Sequence, residues 1–224
     1  MAAVDLPPET PMNAIQIISL TMGTAWASGI NLYAAVFMLG FMGRNGYVAL
    51  PAGLEMLTDP LVIGVAGLMY CIEFFADKAP GVDSAWDAVH TFIRIPAGAI
   101  LAMQAVGPTD PALQLTAFLV GGSLAAGTHF TKAGTRALIN TSPEPFSNWV
   151  ASFSEDLLVI AGLWVALQHP WAFMVLLALF ILLMVWLLPK LWQGMCALAR
   201  RIRTLFRRPD NELPAPSRRD SLST

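Results

Sequence analysis

Four polar side chains recur at helical spacing inside an otherwise membrane-like run. In THFTKAGTRALIN, residues 128 to 140, His129, Lys132, Arg136 and Asn140 follow one another at intervals of three, four and four. That spacing sets them on one face of an α-helix, while Phe130, Ala133 and Leu138 point elsewhere. Asp83, Asp87, His90 and Arg94 form a second stripe at intervals of four, three and four. Arg94 lies about eleven residues, and so ~16 Å, into its helix, the deepest of that group. Glu73, Asp77 and Lys78 close the preceding apolar run, and Glu144, Ser147, Asn148, Ser154, Glu155 and Asp156 lead into a later one.

A charge exposed to lipid costs from about 2.5 kcal/mol upward, so these stripes should face one another or a water-filled cavity. One account is mutual pairing, for example Asp87 with Arg136, which locks the bundle. The other is a ligand or ion pathway, favoured because membrane helices normally pack through small residues, which GGSLAAG and PAGAILA already supply. Arg94, Lys132 and Arg136 are then the candidates for an anion, a carboxylate or a phosphate. His129, Asn31 and Tyr33 are candidate polar contacts near the midplane. The polar segment NTSPEPFSN adds Ser142, Ser147 and Asn148 at a helix N-terminus, a natural anion position. Glu73, Asp77, Asp87 and His90 are the candidates for proton coupling, since carboxylates and histidine build proton relays in transporters.

The elements that position these residues are membrane helices. The 224-residue chain is 56% hydrophobic and 12% charged, against about 25% charge in soluble domains. Runs long enough to span a bilayer fall at roughly 12–42, 60–77, 84–107, 111–139, 147–168 and 170–189. The expected fold is therefore an all-α integral membrane domain of six transmembrane helices over 12–189, with 1–11 a cytoplasmic segment lacking signal-peptide features. Asp59-Pro60 and Asp110-Pro111 read as helix N-caps followed by proline, and Asp83 or Ser84 as the cap of the third span. Gly29 and Asn31 in ASGIN are expected to break the first span into two half-helices.

The two halves resemble each other. WASGINLYAA (26–35) aligns with LAAGTHFTKA (124–133), and DPLVIGVAG and DLLVIAG begin 30 and 29 residues after Gly29 and Gly127. Two three-helix repeats, about 12–107 and 111–189, would insert in opposite senses, an arrangement used by secondary transporters with interrupted helices. Orientation follows from the cations: eight of 13 Lys and Arg lie from Lys190 onward, which places both termini in the cytoplasm. Residues 190–208 read as a basic amphipathic helix on anionic lipids, rather than a nucleic-acid binder, and 209–224 as a disordered tail.

No HExxH, Cys-x-x-Cys, P-loop or GxSxG is present, so no metal, cofactor or enzyme chemistry is expected. Cys71 and Cys196 suggest no disulfide, and the eleven Met read as core filling. The runs GINLYA, DKAPGVDSAWDAVHTFIRIPAGA, THFTKAGTRALIN and SPEPFSNWVASFSED resemble a bacterial polytopic membrane family catalogued as domain of unknown function 4126. The likeness covers roughly residues 12–190; it implies a multi-pass bacterial inner-membrane protein and supplies no substrate or site. The leading expectation is a small transporter or lipid-carrier flippase for an anionic solute or headgroup, compatible with proton coupling and with a homodimer. The alternatives are a membrane scaffold or assembly factor whose buried charges are structural, and a lipid-headgroup enzyme with His90 or His129 as general base.

Overall fold

The computed structural model describes residues 12–79, 81–141 and 145–206. Expectations placed on 1–11, on Ser142 and on 207–224 lie outside the described residues. Among those described, the chain is all helical. α1 (Ala14–Arg44) is followed by a 3₁₀ helix (Ala52–Thr58), α2 (Pro60–Ala76), α3 (Val82–Val106), α4 (Pro111–Ile139), α5 (Pro145–Gln168) and α6 (Pro170–Phe206).

The caps explain the starts. The Asn13 side chain accepts from Gln16 N while the Gln16 side chain accepts from Asn13 N, a reciprocal box. Asp59 and Asp110 each accept from the amide two residues on at 2.7 Å, with proline at the first helical position. The third expected cap is displaced: α3 starts at Val82 behind Gly81, whose φ of 84° suits glycine. Asp83 lies in the first turn, and its Oδ1 accepts from the amides of Gly81 and Ser84.

α1 is interrupted where ASGIN suggested. Asn31 has φ −148° and ψ 97°, and its Oδ1 accepts from Ala34 N at 2.9 Å, capping the second half-helix. The aligned stretch of α4 is unbroken, so one helix is interrupted, not a pair. Asn31 reaches its own downstream amide, whereas Thr128 and Thr131 return their hydroxyls to the Leu124 and Gly127 carbonyls and leave the helix intact. α6 likewise continues past Pro189 as one helix to Phe206. In apolar surroundings no water competes for the remaining helical hydrogen bonds.

α1 lies at the centre and is buried along most of its length. It meets α3 and α4 through small residues. A Cβ on Gly29 would lie 2.5 Å from the Ala125 carbonyl of α4, and one on Gly98 of α3 would lie 3.2 Å from Ser28 Oγ of α1. The outer faces of α2, α5 and α6 expose Leu68, Phe75, Leu157, Trp164, Leu182 and Trp186, while charge is buried inside. Four helices are long and apolar enough to cross a membrane. The 3₁₀ helix and α2, bent by 69°, make a fifth if taken as one span; α4 is long enough but less apolar.

Candidate functional site

The charged stripes converge beside the break in α1. α2 brings Glu73 and Asp77, α3 Asp87 and Arg94, α4 Lys132 and Arg136, and α5 Glu155. All are buried except Glu155, whose side chain is 16% exposed. Arg94 donates to Glu73 Oε1 at 2.5 Å and to Asp87 Oδ1 at 2.9 Å. Lys132 Nζ lies 3.0 Å from Asp77 Oδ2, 3.4 Å from Glu73 Oε1 and from Glu155 Oε2, and 3.9 Å from Asp87 Oδ1. It also donates to the Ile30 carbonyl at 3.0 Å, an acceptor at the helix break. Arg136 grips Glu155 with two hydrogen bonds, at 3.0 and 2.7 Å, and donates to the backbone carbonyls of Asp77 and Asn148. A fork on a carboxylate is the strong geometry for guanidinium.

The Asp87–Arg136 pair expected from the sequence is not formed. Arg94, seven residues along the same helix, takes Asp87, and Arg136 turns to α5 and α2. The expected anion-binding cations do meet, but each already bears carboxylates of its own chain. His129 fills the gap between Arg94 and Thr91, its Nε2 2.7 Å from the threonine hydroxyl and its Nδ1 3.5 Å from Arg94.

The amide of Asn31 has one orientation, because Ala34 N–H only donates and the Asp156 carboxylate accepts from Nδ2 at 3.2 Å. Asn148 makes a separate chain: its amide donates to Asn140, which donates to both oxygens of Asp83. His90 stands apart from the ion pairs. Its Nδ1 is 2.8 Å from the Trp86 carbonyl, which can only accept, so Nδ1 carries the proton and Nε2 accepts from the Tyr33 hydroxyl at 3.1 Å. Tyr33 and His90 thus form a pair of their own. Lys78, in the turn after α2, has its ammonium 2.9 Å over the Phe74 ring and donates to Phe74 O and Ser152. Burial pushes that ammonium down, against a smaller upward pull from Asp156 and Asp77.

Glu155 and Asp156 are the members that sequence reasoning left without a role. Their signal was two adjacent carboxylates inside an apolar helix, with Asp156 aligned to Asp59 of the other half. Among the described residues no group of three or more His, Cys, Asp or Glu is arranged to hold a metal ion.

Residues 18–190 match the model of a family described as a domain of unknown function, DUF4126, and the chain belongs to that family. No curated protein and no solved structure matches it.

Proposed function

We propose that the chain is a small membrane transporter for an anionic solute or lipid headgroup, and that Arg94, Lys132 and Arg136 form its anion-accepting wall. The observation that carries this reading is the position of Glu155. It is the one carboxylate of the cluster with appreciable exposure, and it occupies Arg136 in the two-pronged manner of a carboxylate or phosphate ligand. An entering anion that displaces Glu155 finds Arg136 and Lys132 already desolvated and oriented. The carboxylates then act as internal placeholders that keep the cations paired while no ligand is present. The break in α1 beside Lys132 supplies the kind of discontinuity found at transporter binding sites. Six spans, built as two inverted repeats with both termini in the cytoplasm, are the topology that goes with it. The inner membrane, and a homodimer of so short a chain, belong to the same reading.

Complete pairing of the cations supports a second reading, a scaffold or assembly factor whose ion pairs hold the bundle together. Thermal unfolding of the purified protein against anions, organic acids, phosphometabolites and polyprenyl phosphates separates the two. A ligand at 100 times its Kd adds about 2.7 kcal/mol. For a transporter, one compound should raise the melting temperature of the wild type and not of Arg136→Ala. A wild type unmoved by every compound, with Arg136→Ala melting far lower, would favour the scaffold.

A further inference from the structure

The charges of the cluster do not balance. Three cations, Arg94, Lys132 and Arg136, are ion-paired with four carboxylates, Glu73, Asp77, Asp87 and Glu155, while Asp156, buried against the Asn31 amide, lies outside those ion pairs. Glu155 uses both oxygens and reaches the edge of the cluster. Each of the other three uses one oxygen of its side chain only. Glu73 Oε2, Asp77 Oδ1 and Asp87 Oδ2 are buried with no hydrogen-bond partner, as are Asp156 Oδ2 and, among the donors, Arg94 Nε. Three lone carboxylate oxygens are thus enclosed together, away from water, in a cluster that has one carboxylate more than it has cations. An apolar interior does not leave such a charge bare; a proton or an ion neutralises it. The centre of the cluster is already filled by the Lys132 ammonium, ringed by carboxylate oxygens and the Ile30 carbonyl. Among the described residues no group of three or more His, Cys, Asp or Glu is placed to hold a metal ion instead.

We infer that the cluster holds one exchangeable proton, shared among Glu73, Asp77 and Asp87. Protonating one lone oxygen removes the surplus charge, turns an acceptor without a donor into a donor, and offers that donor to a neighbouring carboxylate. The groups that set its position are Lys78 after α2, Arg94 on α3, His129, Lys132 and Arg136 on α4, Glu155 and Asp156 on α5 and, from α1, Tyr33. With groups this tightly coupled the proton belongs to the cluster as a whole. Use of this proton as the coupling ion rests on the anion-transport reading; its residence does not.

Infrared spectra of the full-length protein in lipid nanodiscs at neutral pH, in H₂O and in D₂O, test the inference. The wild type should show the carbonyl stretch of a neutral carboxylic acid, shifted in D₂O. That band should vanish in at least one of Glu73→Gln, Asp77→Asn and Asp87→Asn and persist in Glu55→Gln, which neutralises an exposed carboxylate of the 3₁₀ helix outside the cluster. The variant that removes the band leaves three cations facing three carboxylates, so it should melt no lower than the wild type. Absence of the band in the wild type, or its survival in all three variants, overturns the inference. The wild-type spectrum decides even where a variant does not fold. A protein that shows the band but responds to no anion keeps the proton site and loses the transport reading.

Discussion

Lys132 touches four of the five helices that meet at the cluster, so its loss should be the most damaging single change. Lys132→Met leaves Asp77 and Glu155 short of a partner in a buried setting, and breaking such a network costs about 3–5 kcal/mol. Chemical or thermal unfolding in detergent measures it. The Arg136–Glu155 fork should show coupling: Arg136→Glu and Glu155→Arg singly destabilise, and the double variant should lose clearly less than their sum. Recovery will be incomplete, because Arg136 also serves the Asp77 and Asn148 carbonyls. At this scale the sequence exposed the stripes, since helical spacing alone puts Lys132 and Arg136 on one face. It misassigned the partner of Arg136 because pairing depends on helix rotation and depth, which spacing within one helix does not carry.

The break in α1 is local chemistry set in tertiary packing. Asn31→Ala removes both the cap on Ala34 N and the donor to Asp156, and loss of a cap costs about 1 kcal/mol. Asn31→Asp keeps an acceptor for the cap but sets a carboxylate against Asp156; it should be less stable than Asn31→Ala in the same unfolding assay. The close crossing of α1 and α4 depends on Gly29. A methyl group there meets the Ala125 carbonyl and Thr128 Cβ at 2.5 and 2.7 Å, so Gly29→Ala should destabilise by roughly 1–3 kcal/mol. Gly64, with nothing within 4 Å of an added Cβ, is the control. Gly64→Ala should be neutral or stabilising by up to about 1 kcal/mol through helix propensity. The helix starts were legible from Asp-Pro pairs, and the small-residue contacts from GGSLAAG and PAGAILA. The unbroken α4 was not, because the likeness of ASGIN to AAGTH conceals that asparagine can cap a new helix turn where histidine does not.

The whole molecule is arranged with apolar side chains outward and ion pairs inward, the reverse of a water-soluble bundle. The proposed six-span reading predicts a definite topology. In sealed vesicles, with Cys71 and Cys196 replaced by Ser, a membrane-impermeant thiol reagent should label Asn45→Cys and Thr109→Cys from one side. Thr141→Cys should react only from the opposite side. Labelling of all three from one side would reject the six-span order. The amino-acid sequence by itself determined that the chain is helical, where nearly every helix begins and ends, and which residues carry charge in apolar surroundings. These are properties of composition and of contacts within a few residues. Only the tertiary structure decided which cation meets which carboxylate, that Glu155 closes the cluster, and that its ion pairs join four carboxylates to three cations. Those facts depend on the rotation and depth of five helices packed through glycine and alanine, and no single stretch of chain encodes them.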